Sequence, residues 1–307
     1  MDGVLVLDKP GEMTSNGALQ RVRRLFGAQK AGHTGALDPL ATGVLPICFG
    51  EATKFSRYLL EADKAYYTTA TLGEIRDTGD SDGQVISTNP VPSLDAAELE
   101  SVLSRFRGDI DQVPSMYSAL KHQGRPLYEW ARRGITIDRP ARPVTIKCLE
   151  LMAHRECELD LKVECSKGTY IRSLVEDVGQ VIGCGAHVSM LRRYQAGRFG
   201  LAQSVTLAEI EQAAEQADAQ SALDAFLLPV DVLLQHLPKV CVNNELSRSI
   251  LHGQAVRIPD ADFSGLVRVY ENEPVSTGEV VGERFIGVAS IEAPNCLQPR
   301  RLLTFEA

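Results

Sequence analysis

His33-Thr34-Gly35-Ala36-Leu37-Asp38-Pro39-Leu40-Ala41-Thr42-Gly43-Val44-Leu45 sets one carboxylate in a loop whose backbone is pinned on both sides. Gly35 admits a positive φ or a close backbone approach, and Pro39 fixes φ directly after the acid. Gly43 then opens the apolar run Val44-Leu45-Pro46-Ile47-Cys48-Phe49, which reads as a buried strand. On residue type alone Asp38 is either a turn cap or a carboxylate held for chemistry, because Asp and Pro are ordinary turn residues.

Outward from this loop, residues 3–8 read as a short buried strand. A helix follows, capped by Thr14 or Ser15, with Leu19, Val22, Leu25 and Phe26 on one face and Gly27 at its end. Ala52, Phe55 and Leu59 predict another helix, and residues 66–73 have the aromatic and β-branched content of a strand. Ser93 is expected to cap a helix through Leu99, Val102, Leu103 and Phe106, with Gly108 as its stop. Residues 112–143, rich in Pro, Gly and Arg, make a long excursion around one short helix near Tyr128-Glu129-Trp130; loops of that length usually carry function or are disordered. Leu159, Leu161, Val163 and Cys165 alternate as one face of a strand, and a helix from about Thr169 turns Ile171, Leu174, Val175 and Val178 inward. The acidic run 205–227 reads as a helix. From about residue 236, apolar stretches at 239–242, 255–258, 266–270 and 285–289, separated by Gly and Pro turns, predict a small β-rich domain. Helices and strands mix without βαβ periodicity.

The 307 residues suffice for one large domain plus a small one. Met1-Asp2-Gly3 does not lead from a basic segment into an apolar run, so no secretory leader is expected, and no stretch approaches the ~18 apolar residues of a membrane span. Seven cysteines without a C-x-x-C pair argue against zinc or a disulfide framework and for a reducing cytoplasm. The six histidines show no metal spacing. Asp77-Thr78-Gly79-Asp80-Ser81-Asp82-Gly83 imitates three slots of a calcium loop, but Thr78 and Asn89 stand where the template needs acids, so a turn is expected.

The net charge of −8 is unevenly spread. Residues 1–200 hold 25 Lys+Arg and 25 Asp+Glu, whereas residues 201–307 hold 7 and 15. The neutral part contains three arginine clusters: Arg21, Arg23 and Arg24; Arg132, Arg133, Arg139 and Arg142; Arg192, Arg193 and Arg198. Each cluster singly is a solvated surface; together they predict a local positive face, and the net charge does not exclude nucleic acid.

The Asp38 segment, long and ungapped, resembles the catalytic-aspartate motif of tRNA pseudouridine synthases of the TruB type. Ser166-Lys167-Gly168-Thr169-Tyr170-Ile171-Arg172, by itself a helix cap with a core tyrosine, resembles the family motif whose arginine pairs with that aspartate. Leu191-Arg192-Arg193 resembles the element whose leucine packs beside the active site. Tyr66, after Asp63-Lys64-Ala65, falls where the family places its tyrosine, although Ala65 departs from the basic residue often found there. Leu7-Asp8-Lys9-Pro10 and residues 114–121 match further, and residues 77–83 resemble a segment on the RNA-facing side of the cleft. The match covers roughly residues 1–200, while the tail resembles a PUA RNA-binding domain in general pattern.

The resemblance implies an α+β fold: a mixed, mainly antiparallel sheet in a catalytic domain over 1–235, an RNA-clamping insertion at 112–143, and a small β-barrel-like PUA domain over 236–307. It implies isomerisation of uridine 55 to pseudouridine in the T-arm of tRNA, with base flipping. Asp38, Tyr66 and Arg172 would be catalytic; His33, Tyr170, Leu191, Lys9, Asp80 and Lys121 would bind substrate. No metal or cofactor is expected, since moving a ribose from N1 to C5 of uracil needs no redox step. tRNA is the expected partner of a cytoplasmic monomer, with no membrane and no protein partner implied. Two other classes compete. A glycosidase would need a second carboxylate, and none flanks Asp38. A non-catalytic RNA-binding or RNA-folding protein with a degenerate site is disfavoured because Asp38, Tyr66, Tyr170 and Arg172 are all present.

Overall fold

The computed structural model describes residues 1–258, 264–274, 280–292 and 295–305. Its centre is a ten-stranded sheet, in which Gly3–Lys9, Thr42–Phe49, Ala186–Ala196, Lys64–Leu72, Glu158–Cys165, Arg142–Arg155 and Gly108–Gln112 lie side by side in that order. Gly3–Lys9 pairs in parallel with Val205–Thr206, and Ala186–Ala196 in parallel with Thr42–Phe49; the other pairings are antiparallel. The mixed, mainly antiparallel α+β architecture is thus the one expected.

Period-two alternation decides which face each residue serves. Leu45, Ile47 and Phe49 face a core shared with Leu5, Leu7 and the helices Ser15–Leu25 and Ile171–Ile182. Val44 and Cys48 face the opposite side, with Val4, Val6, Phe55, Phe199 and the 3-10 turn Val230–Leu234. Both faces are covered, which explains why Thr42–Phe49 is apolar along most of its length.

Several local expectations are corrected. The region after Phe49 is a 3-10 turn, Gly50–Lys54, followed by the short helix Ser56–Leu60. The helix after residue 93 is capped by Asp95, not Ser93, because Asp95 and Glu98 form a reciprocal capping box; it ends at Ser104, and Gly108 opens a strand. The acidic run is two helices, Leu207–Ala214 and Ala219–Asp224, because Asp218 caps a new one. The excursion narrows to 113–141, since Gln112 and Arg142 lie in strands; it holds the two-residue strands Lys121–His122 and Arg125–Pro126 and the helix Leu127–Ala131.

In the tail, Lys239–Val242, Gly265–Pro274, Val280–Glu292, Cys296–Leu302 and Val256–Arg257 form a second, five-stranded sheet with its own apolar core around Val267, Val269, Ile286 and Leu297. A helix the sequence did not reveal, Asn244–Leu251, starts on an Asn243 cap and packs there through Ile250. Residues 259–263, 275–279, 293–294 and 306–307 of the predicted 236–307 unit lie outside the described residues. The tail rests on the large sheet: Phe285 meets Phe55 edge-on at 5.6 Å, and Val288 joins the core behind Val44. Among the described residues no helix is long and apolar enough to cross a membrane.

Candidate active site

The Asp38 loop is the connection between the short strand Ala31–His33 and Thr42–Phe49, which pair with each other. Gly35 takes φ +127° and Gly43 φ +105°, conformations that other residues rarely adopt. The loop is tied to the first helix. Thr14 is the cap, its hydroxyl accepting from Gly17 N, while buried Ser15 accepts from Leu37 N at 2.7 Å and donates to Leu37 O at 2.9 Å. The carboxyl of Asp38 is thereby presented at the floor of a cleft of about 890 Å3.

Arg172 comes from the first turn of Ile171–Ile182 and is 4% exposed. The helix start is held by Gln112, whose amide accepts from Tyr170 N and donates to Tyr170 O. Arg172 Nε and Nη2 reach the two oxygens of Asp38 at 2.9 and 3.1 Å, a bidentate pair. Its remaining reach goes to Thr78 O at 2.7 Å, Tyr117 O at 2.8 Å and Asp80 Oδ2 at 3.7 Å. Asp80 is itself fixed by Thr78 Oγ1, which donates to Oδ1 at 2.5 Å. One guanidinium therefore joins the Asp38 loop, the 77–83 turn and the excursion.

Burial pushes the Asp38 carboxyl above its ordinary range; Arg172 opposes this, and the Asp80 charge adds to it. About a third of the side chain remains open to the cleft, so the acid is enclosed on the protein side and reachable on the other. Burial also pushes the Tyr66 phenol up, against the Arg193 guanidinium beside it, and lowers His33, whose Nδ1 is buried without a partner among the described residues. Burial thus keeps the phenol and the imidazole neutral at neutral pH, beside a carboxyl whose charged form Arg172 favours.

Of the residues expected at the site, the structure brings Asp38, Tyr66, Arg172, His33, Tyr170, Leu191 and Asp80 to one cleft. Lys9 is not among its lining. That side chain is fully buried and donates to Met13 O, Pro10 O and Pro39 O, so it braces the loop from behind, and burial lowers it to about 8. Lys121 is exposed on the excursion, away from the cleft floor. No site role was expected for Arg193, which is 1% exposed and lines the cleft, or for Tyr117, Ser118 and Tyr128 of the excursion; Arg132, from the expected RNA-clamping insertion, lines it too. The signal for Arg193 was in hand: it stands two residues after Leu191, on the same side of a strand. Arg192, between them, turns away and binds Asp8 bidentately at 2.7 and 3.1 Å. Among the described residues no three His, Cys, Asp or Glu side chains converge as a metal site.

Residues 23–171 match the TruB family pseudouridylate synthase N-terminal domain, 172–235 the tRNA pseudouridylate synthase B C-terminal domain, and 238–303 the pseudouridine synthase II TruB C-terminal domain. A tRNA pseudouridine synthase B of Pseudomonas putida is 52% identical over 306 residues, covering 100% of this chain and 97% of the relative. That of Sodalis glossinidius is 50% identical over 99% and 95%, and that of Vibrio cholerae 49% over 99% and 96%. Among solved structures, a chain of a Cbf5-Nop10-Gar1 complex superposes with a TM-score of 0.71 at 22% identity, covering 98% of this chain and 84% of that one, a likeness of fold. With a bidentate Asp–Arg pair on the cleft floor and family profiles matching nearly its whole length, the chain belongs to the TruB family of pseudouridylate synthases.

Proposed function

We propose that this chain isomerises uridine 55 to pseudouridine in the T-arm of tRNA, as a cytoplasmic, monomeric enzyme that needs no cofactor. The observation that carries the reading is the Asp38 carboxylate, gripped bidentately by Arg172 yet open to a cleft floored by Tyr66. The reaction breaks a glycosidic bond, turns the uracil and forms a C–C bond through C5. A carboxylate serves this at the sugar, either as nucleophile at C1′ or as base toward the 2′ proton, and the pairing with Arg172 favours the charged form that both routes need.

The uridine must leave its stack to reach Asp38, at a cost of a few kcal/mol offset by new stacking and phosphate contacts. Tyr66 supplies a ring beside the acid, Leu191 an apolar wall, and neutral His33 a polar edge for the space the base vacates. Burial keeps the phenol of Tyr66 neutral, so in the resting site it stacks and donates; it accepts the C5 proton only as phenolate, the form that Arg193 favours. The excursion would clamp the RNA. Among the described residues Lys121, Arg125, Arg132, Arg133, Arg139 and Arg142 form no ion pair, and the Arg132 guanidinium lies 5.3 Å over the Tyr128 ring at the cleft. Residues 236–307 would form the PUA-like unit, adding contacts to the rest of the tRNA.

Incubating the chain and Asp38→Asn with a T-arm stem-loop transcript, then assaying pseudouridine at position 55, tests the reading. Product with the parent chain and none with Asp38→Asn is expected. Binding without product would instead identify an RNA-binding or RNA-folding protein.

A further inference from the structure

We propose that Arg193 is a positioning residue of this site, one buried guanidinium that fixes the Asp38 loop by its carbonyls and meets the Tyr66 side chain across the sheet. The inference rests on the reading of Asp38 and Tyr66 as the groups facing the flipped uridine. Arg193 Nε donates to Val44 O at 2.7 Å, Nη2 to Gly35 O at 3.0 Å, and Nη1 reaches Ala36 O at 3.5 Å. These carbonyls lie at both ends of the loop that carries Asp38, so the fork closes the loop like a strap. On the other neighbour, Arg193 stands directly opposite Tyr66 in the antiparallel register of Ala186–Ala196 with Lys64–Leu72, where facing side chains touch.

The backbone is built for this approach. Gly43 is opposite Arg193 in the parallel pairing, and a Cβ there would lie 2.1 Å from Arg193 O, so only glycine lets the strands come this close. The side chain is 1% exposed, and among the described residues no carboxylate pairs with it. A buried cation held by three carbonyls and the Tyr66 phenol, with no carboxylate, is costly, whereas a methionine would fill similar space without that cost. Its field reaches the cleft floor. Of the groups facing the Tyr66 phenol, Cys165 on Glu158–Cys165 and Asp38 on the loop disfavour phenolate, whereas Arg193 favours it; Arg193 likewise lowers His33, Lys9 and Lys64.

Two variants of the full chain test this, Arg193→Met and Arg193→Lys. The Tyr66 phenol is titrated by NMR with ring-labelled tyrosine, assigned by Tyr66→Phe, and single-turnover rates on the T-arm stem-loop are measured against pH beside RNA affinity. Arg193→Met is expected to titrate at higher pH than the parent and to lose about a hundredfold in rate, with RNA affinity within about twofold. Arg193→Lys keeps the charge but not the fork, so its phenol titrates near the parent value while its rate falls about tenfold. An unmoved phenol in folded Arg193→Met, or parental rates in both variants, would overturn the proposal. Failure of both variants to fold would also overturn it, in favour of a purely structural brace. A parent chain inactive on the stem-loop would refute the functional reading instead, and the phenol titration would still decide the Arg193–Tyr66 coupling.

Discussion

Arg172 on the cleft floor donates to Asp38, Thr78 and Tyr117, whereas Arg132 and Arg133 of the excursion and Arg142 beside it meet no carboxylate among the described residues. The first is 4% exposed and locked; Arg132, Arg133 and Arg142 are exposed and lie in or beside a long connecting segment. One chain with a net charge of −8 can thereby act on RNA. Charges satisfied within the fold hold neighbouring groups at fixed distances, while exposed ones that meet no carboxylate remain available to neutralise phosphates and release their counterions.

The comparison can be broken at either end. Asp38→Asn should abolish isomerisation while leaving RNA affinity within a few fold, since one carboxyl contributes little to a phosphate-dominated interface; turnover by this variant, with deamidation excluded by mass spectrometry, would break it outright. Arg172→Met should cost about a hundredfold in single-turnover rate, because the acid loses both orientation and counter-charge. The pH profile carries the sign. The proposed role of Asp38 needs its ionised form, and burial pushes that carboxyl above the ordinary carboxylate range, so the rate of the parent should fall as pH drops through the raised value. Removing Arg172 takes away the group that opposes the rise, and the acid limb should move to still higher pH. An acid limb that stays in place would detach the arginine from the carboxylate.

At the other end, Arg132→Ala, Arg133→Ala and Arg142→Ala together should weaken T-arm binding and flatten its salt dependence, by about 0.7–0.9 in log–log slope for each phosphate no longer neutralised. Equal affinity at low and high salt in parent and triple variant would remove the clamp. Smaller still is Ser15→Ala, which leaves Leu37 N unpaired in the core and should lower stability by about 1–3 kcal/mol in chemical denaturation. Unchanged stability would mean the loop does not lean on the first helix.

The parts of the site legible in the sequence were those whose chemistry and backbone needs coincide locally. Asp38 sits between Gly35 and Pro39, and Arg172 lies in the first turn of a helix that follows a strand after a short loop. The strand Ala186–Ala196 was not read from the sequence, although it runs through the middle of the sheet. Two irregularities, at Val188/Met190 and Arg193/Gln195, break its alternation, and two adjacent arginines interrupt its apolar character. Arg142–Arg155 has two such shifts as well. Lys9 was expected to bind substrate because the resemblance shows a cation in a matching segment but not the three carbonyls that enclose it. Asn244–Leu251 was hidden by its polar composition in a stretch dominated by strands.

The alternation of Arg192 and Arg193 also bears on which lengths of chain this fold can tolerate. Within one dipeptide, Arg192 secures Asp8 on one side of the sheet and Arg193 the Asp38 loop on the other. Deleting Arg192, which lies where the pairing with Lys64–Leu72 is regular, would exchange the two faces from there on, sending Arg193 out and Tyr194 toward the cleft. The 113–141 segment has no such parity: beyond the few residues that touch the cleft, it can gain or lose residues singly. Variation in length should therefore accumulate in the excursion and be refused in the strand, where it would dismantle the site.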